Sequence, residues 1–332
     1  SNLQVLPQVV SPSLSMTMAS ATVPSGMISV HVRAVGLNFK DLLNVLMPDE
    51  AAYVGGMVPL PGADFAGTVV ALPADFQGDL AIGDAVFGMS MVGSGVLHSY
   101  ATVSEATIAR MPRGLSFEEA AQLPMVFMTV EFALGPDQAN LQKGERLLVH
   151  SAAGGVGIAA IQYAQRVGAE VFATASAPKH DFLRSLGVQH ISTSRDAAIF
   201  ESEMRPLVGE RGVDVVLNSL TSEGYIAATT KMVAKNGRFI EIGKRNIWSK
   251  EQMREVRPDI YYETHSLNEM LPDQPERMVP MLKTLTSHVE SGDVKPLPMR
   301  VFDMRSNLVG AFKRLQSGQG IGKTIIRVDS ES

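Results

Sequence analysis

Cysteine is missing from all 332 positions of the sequence. Its absence excludes disulfides, thiol nucleophiles and zinc sites built on thiolates. An excess of basic charge is missing too: 29 Lys and Arg face 34 Asp and Glu, for a formal net charge of −5. Nucleic-acid binding, which needs a clustered basic surface, is therefore not expected. No apolar run approaches the roughly 18–20 residues that span a bilayer, and no charged-then-apolar leader opens the chain. A cytoplasmic chain with no membrane segment is the expectation. The opening pair Ser1-Asn2, with no Met before it, is what a domain excised from a longer protein would show.

What is present suits a globular chain: 45% of residues are hydrophobic and 19% charged. The length favours two domains, each large enough to bury its own core. Residues up to about 110 read as β-rich. Met27 to Ala34 alternates apolar and polar side chains, the period of a half-buried strand. Gly67 to Ala71 and Asp84 to Phe87 are further strand candidates, each bounded by Gly or Pro. Asn38 is placed to cap a helix containing Leu42, Leu43, Val45 and Leu46, with Asp41 favouring its dipole.

From about residue 124 the texture changes to alternating strands and helices. Arg146 to His150 predicts a strand, Val156 to Val167 a helix stopped by Gly168, and Glu170 to Ala175 the next strand. A helix from Lys179 to Leu186 comes after it, and Val213–Leu217 and Gly237–Ile242 predict two more strands. This alternation implies right-handed βαβ units and a doubly wound parallel sheet, an α/β class. The Pro-rich stretch from Leu271 to Pro275 marks a joint. Beyond it lie a helix around Met278–Val289, a strand at Met299–Phe302, a second helix, and a closing strand from Lys323 to Val328. The expected division is 1–123, 124–268 and 269–332.

Ser151-Ala152-Ala153-Gly154-Gly155-Val156-Gly157 lies where the first of these parallel strands turns into its helix. It fits a G-x-G-x-x-G fingerprint with Ala152 at the first glycine, Gly154 at the second and Gly157 at the third. Gly154 lets backbone approach a pyrophosphate, Gly157 lets helix and strand pack closely, and the helix N-terminus faces the phosphates. Gly155 and Val156 complete the candidate loop. A strand ending in Asp or Glu about 20 residues on would select NAD through the ribose hydroxyls. Here the strand ends at Ser176, with Lys179 and His180 beyond. A carboxylate would repel a 2′-phosphate and Lys179 would pair with it, so NADPH is the expected cofactor.

Several segments together resemble one family. They are Val32 to Asp41, Leu123 to Thr129, Leu148 to Gly157, Asp214 to Leu220 and Gly237 to Lys244. Their order and spacing are similar to those of enoyl-reductase domains of modular polyketide synthases and animal-type fatty acid synthases, in the zinc-free medium-chain dehydrogenase/reductase superfamily. The likeness runs from about residue 25 to the C-terminus. It implies a Rossmann domain inserted in a GroES-like, β-rich substrate domain built from both chain ends. It also implies oxidoreductase activity on an enoyl thioester carried by an acyl carrier protein, beside other synthase domains, in a monomer or homodimer. A local Lys/Arg patch could receive the acidic carrier. At Gly62-Ala63-Asp64-Phe65, where zinc-dependent relatives would carry a His-Glu pair, no histidine stands, so no metal is expected.

In the family the nicotinamide lies in the interdomain cleft near an Asn and a Thr, matched here by Asn38 and Thr129. Asn38 can serve as a plain helix cap as well. Asn218 and Ser219 end a strand at the edge where open α/β sheets bind ligands, and Gly243 ends the next. Hydride addition to the β-carbon of an enoyl thioester builds charge on its oxygen and requires a proton at the α-carbon. Lys244 is the best donor, and a lysine there is a proposed proton source or orienting group in the family.

Two departures stand out. Family members usually carry an aspartate further along in a Phe/Val-Asp-Leu segment, where Thr264-His265-Ser266-Leu267 places Ser266. Those that set one α-methyl configuration also carry a tyrosine after the Asn, and here the count lands on Asp49. Tyr53 is the substitute candidate, with Phe39 and Ser266 as further pocket residues. The α-proton is thus expected from Lys244 alone, His265 or water. Three other readings stay open: hydride-triggered cyclopropane formation from a γ-halogenated enoyl thioester, which needs no α-proton donor; a stand-alone quinone oxidoreductase; and a catalytically silent spacer.

Overall fold

A computed structural model describes residues 22–46, 60–90, 95–267 and 274–328. Tyr53 and Asp49 lie outside the described residues, as does most of the Pro-rich joint at 271–275. Five strands open the described chain: β1 (Met27–Leu37), β2 (Asp64–Ala71), β3 (Ala85–Met89), β4 (Tyr100–Ser104) and β5 (Ile108–Arg110). Six more form the middle: β6 (Arg146–Val149), β7 (Glu170–Ala175), β8 (His190–Thr193), β9 (Val213–Asn218), β10 (Val233–Glu241) and β11 (Tyr261–Thr264). Two close it, β12 (Met299–Asp303) and β13 (Lys323–Arg327). The chain divides into two compact units, one formed by Thr129–Leu267 and the other by residues up to Met128 and from Asn268 onward.

The first unit is built on a mostly antiparallel sheet in the order β12-β13-β1-β2-β3-β5, with β4 also pairing β1. Strand β1 is its hub. Ile28, Val30, Val32 and Ala34 are buried while Ser29, His31 and Arg33 stay partly exposed, the alternation that fits one face to a core. Phe65, Ile326 and Phe312 fill that core. In the register of β1 on β13, Leu37 pairs with Thr324 in antiparallel sense, so the next residues along, Asn38 and Lys323, come face to face.

The second unit is a six-stranded parallel sheet in the order β11-β10-β9-β6-β7-β8. Numbered from β6, that is the order of a doubly wound Rossmann sheet, and β6 is the strand at which the winding reverses. Helices Gly155–Val167, His180–Ser185, Ala197–Val208, Tyr225–Thr230 and Lys250–Val256 connect the strands. The first ends on Gly168 in the left-handed region at φ 86°, which allows its N–H to turn back onto Ala164 and Gln165 carbonyls. Phe172, Phe200, Tyr225 and Phe239 pack into one core.

Local boundaries differ in two places. The helix expected from Lys179 opens instead as a 3₁₀ turn over Ala177–Lys179 and becomes α-helical only at His180. Pro178 fits that first turn because its missing N–H is unneeded there. Strand β10 begins at Val233, before the expected Gly237. Among the described residues, no helix is long and apolar enough to cross a membrane.

Phe239 is fully buried in the second core. Phe239→Ala is expected to lower the stability of the parallel-sheet unit by about 3–5 kcal/mol, read as an earlier urea transition for that unit.

Candidate active site

The turn after β6 has the geometry of an anion cradle. Its left-handed residue is Ser151, at φ 53°. Ala152 therefore needs no positive φ, which explains why alanine serves at the first glycine position of the fingerprint. The Ala152 N–H is anchored to the Thr174 carbonyl at 2.9 Å. A Cβ on Gly157 would lie 2.5 Å from Ala152 backbone atoms, whereas one on Gly154 would meet only the Ser151 carbonyl at 3.3 Å. Gly157 is thus demanded by packing within the fold, and Gly154 leaves an open approach. Helix Gly155–Val167 starts on Gly154 with no side chain accepting its first N–H groups. Those donors, among them Gly155, Val156 and Gly157, suit the diphosphate of a dinucleotide.

At the end of β7, Ser176 and Lys179 are both half-buried. The nearest following carboxylate, Asp181, is 98% exposed and paired with Arg184 at 2.8 Å. His180 is turned to the Ala175 carbonyl through Nε2 at 3.0 Å. This strand end presents a lysine and no carboxylate to a ribose.

The ends of β9 and β10 are braced by a residue that sequence reasoning missed, Glu241. It is fully buried. One carboxylate oxygen accepts the Asn218 amide and the other the Gly243 N–H at 2.6 Å. Asn218 also donates to the Leu220 carbonyl at 3.3 Å and accepts from Leu220 N–H at 3.2 Å. Its amide thus serves the strand end. Ser219 is half-buried and its hydroxyl donates to the His150 carbonyl at 3.3 Å. Burial pushes the Glu241 carboxyl up from 4.5 to about 7, against the lowering effects of Asn218, Gly243 and Lys244. A buried glutamate at a strand end resembles any polar residue in sequence; only the sheet pairing reveals the brace.

Lys244 comes just after that turn, and its Nζ donates to the main-chain carbonyl of His265 at 2.9 Å. The neighbour of that carbonyl is Ser266, half-buried. The His265 ring is buried, with Nδ1 at 3.2 Å from the Gln138 amide nitrogen. Burial first, then the charge of Lys244, pushes its pKa down to about 4, with Glu263 opposing. With Gln138 donating to Nδ1, the neutral ring carries its hydrogen on Nε2, which has no partner among the described residues.

In the first unit a second polar cluster forms around Asn38. Its side chain does not cap the helix Phe39–Leu46, contrary to the expectation. Asp41, at the third position of the helix, reaches back instead: its carboxylate accepts the Asn38 N–H at 2.7 Å, the reciprocal half of a capping box, and the Gly62 N–H at 2.8 Å. The Asn38 amide is taken elsewhere: its oxygen accepts from Lys323 Nζ at 2.7 Å and its nitrogen donates to Asp64 at 3.0 Å. Asp64 in turn accepts from Lys323 at 3.0 Å and from the Met125 N–H at 2.8 Å. Asp41 is buried, and its pKa rises to about 6 through that burial. Phe39 is 59% exposed. Thr129, on helix Pro124–Leu134, is nearly buried in the other unit.

Two family models match the chain: residues 24–113 match the alcohol dehydrogenase GroES-like domain, and residues 155–285 match zinc-binding dehydrogenase. Among curated relatives, the pikromycin polyketide synthase component PikAII of Streptomyces venezuelae is 38% identical over 324 residues, 96% of this chain. The chain spans only 8% of that protein's length, so its match is to one domain of a large synthase. Among solved structures it is similar to CurK enoyl reductase, 39% identical with a TM-score of 0.84, over 93% of each chain. It is also similar to the CurF ER cyclopropanase from the curacin A biosynthetic pathway, 36% identical with a TM-score of 0.85, again over 93% of each chain.

The Glu241 brace has a pH signature. Its folded pKa, about 7, exceeds the ordinary 4.5. The folded state therefore holds the proton more tightly, and this contribution is full below the unfolded value and lost as pH rises through the folded one. The buried His265 acts in the opposite sense at lower pH, its pKa depressed to about 4 from 6.5. A melting-temperature difference curve isolates the first effect: wild type minus Glu241→Gln is expected to decline between pH 5 and pH 8, roughly the span of the glutamate's shift.

Proposed function

This chain belongs to the enoyl-reductase domains of polyketide synthases, oxidoreductases of the medium-chain dehydrogenase/reductase superfamily, and we propose that it uses NADPH to reduce the α,β-double bond of an enoyl thioester carried on an acyl carrier protein. The observation that carries this reading is the open glycine turn at Ser151–Gly157, sited on β6 where the sheet reverses its winding. The N–H groups of Gly155, Val156 and Gly157 would hold the phosphates of bound NADPH, and Lys179 with Ser176 would take its 2′-phosphate. By resemblance to the family, Asn38 and Thr129 are the candidate nicotinamide contacts.

When bound, NADPH supplies the hydride that adds to the β-carbon. Lys244 holds a proton at Nζ and offers a positive charge to the thioester oxygen as electrons shift onto it. The same ammonium is the proposed donor to the α-carbon, because Ser266 gives no carboxylate to share that work. The His265 carbonyl fixes the position of the Lys244 ammonium. His265, with its pKa depressed to about 4, holds no imidazolium proton to give near pH 7, which leaves water as the second candidate donor.

A second reading has its own support. The likeness to the CurF cyclopropanase, together with serine at position 266, favours a substrate whose α-carbanion attacks a γ-carbon and expels chloride. That ring closure requires hydride delivery and no α-proton.

With a crotonyl thioester, NADPH absorbance is expected to fall as butyryl product appears. Lys244→Ala is expected to slow that reaction by about 100-fold or more, the scale of one lost general acid or oxyanion donor. An unchanged rate and unchanged product configuration would remove Lys244 from the mechanism. A γ-chlorinated crotonyl thioester separates the two readings, since a product that has lost chloride supports cyclopropane formation.

A further inference from the structure

Lys323 is 4% exposed and its partner Asp64 is fully buried. Two charges out of water are costly, and replacing such a pair by apolar side chains is often neutral or stabilising. Stability alone therefore gives little reason for an ammonium at this place. Its position in the fold gives a better one. The antiparallel register of β1 on β13 brings a lysine 285 residues away in sequence onto the Asn38 amide.

The contacts define one orientation of that amide. Oδ1 accepts from the ammonium, and Nδ2 donates to the Asp64 carboxylate and, at 3.4 Å, to the Gly36 carbonyl. Turning the amide over would set its NH₂ against the ammonium and its oxygen against the carboxylate. Both contacts would then be repulsive, each involving a buried charge. With both Nδ2 hydrogens engaged and one Oδ1 lone pair taken by Lys323, the group that remains for a ligand is the second lone pair of Oδ1. Asn38 is only half-buried, so that lone pair can be reached.

We propose that Lys323 is a positioning residue for the reduction: paired with Asp64, it locks the Asn38 amide so that Asn38 acts only as an acceptor toward an N–H or O–H donor of the bound cofactor or substrate. The inference rests on the enoyl-reductase reading for its kinetic consequence, and on the geometry of the cluster alone for the locked amide.

Three proteins test it: wild type, Lys323→Met, and the double variant Lys323→Met/Asp64→Asn, which removes both members of the ion pair. Each is monitored by thermal melting, by NADPH titration with the emission of the bound nicotinamide, and by kcat and KM for a crotonyl thioester. In a folded variant we expect kcat to fall on the order of 100-fold, the cost of a misplacement of about 1 Å, with KM changed far less and bound-nucleotide emission altered. A purely structural pair would change the melting point and leave kcat, KM and emission at wild-type values; that result overturns the proposal. If wild type binds NADPH but does not reduce the thioester, the enoyl-reductase reading fails, and the emission comparison still decides the role of Lys323. Should neither variant fold, the Asn38 side-chain amide resonances of the wild type decide. Hydrogen exchange of both Nδ2 protons slowed well below that of an exposed asparagine supports a held amide, and exchange at the exposed rate contradicts it.

Discussion

The constraint on which the parallel-sheet unit turns is the contact between Gly157 and the backbone of Ala152, where not even a methyl group fits. That contact sets the start of helix Gly155–Val167 directly on the end of β6. The consequences spread along the sheet. Because its strands run parallel, their C-terminal ends fall on one edge, and Ser176, Asn218 and Gly243 come to that edge with the glycine turn. A bulkier residue at 157 would lift the helix and move its unpaired N–H groups off the point where the winding reverses.

Two buried polar groups then fix what the main chain leaves adjustable. Glu241 joins the ends of β9 and β10 through Asn218 and Gly243, so the backbone leading to Lys244 is tied to its neighbour strand. In the antiparallel unit, Lys323 and Asp64 do the same for Asn38. Each brace places an ionisable group out of water, and such groups persist where orientation matters more than their desolvation. The Asp64 carboxylate is occupied by a lysine ammonium, the Asn38 amide and the Met125 N–H.

Much of this was legible in the residues themselves. The alternation in Met27–Ala34 and the glycine stop at Gly168 are local signals, and local signals survive folding. The fingerprint turn was readable because both its strand and its helix are strongly patterned. Strands β4, β5, β8 and β11 were not found, being three to five residues long, and His190–Thr193 carries polar residues on both faces. Helix Pro124–Leu134 is apolar on all sides, so it shows no period to read. The site was harder. Asn38 looked like a helix cap because nothing near it in sequence announces Lys323, and Glu241 looked like an ordinary strand-end carboxylate. Contacts between residues so distant in the chain follow from strand register, which composition does not carry.

The account is tested most directly by isotope transfer. NADPH deuterated at its transferable position, supplied with an unlabelled crotonyl thioester in ordinary water, is predicted to leave a single deuteron on the β-carbon of a butyryl product and a solvent hydrogen on the α-carbon. Product without deuterium, or deuterium at any other carbon, would contradict hydride delivery from a dinucleotide seated on the Ser151–Gly157 turn.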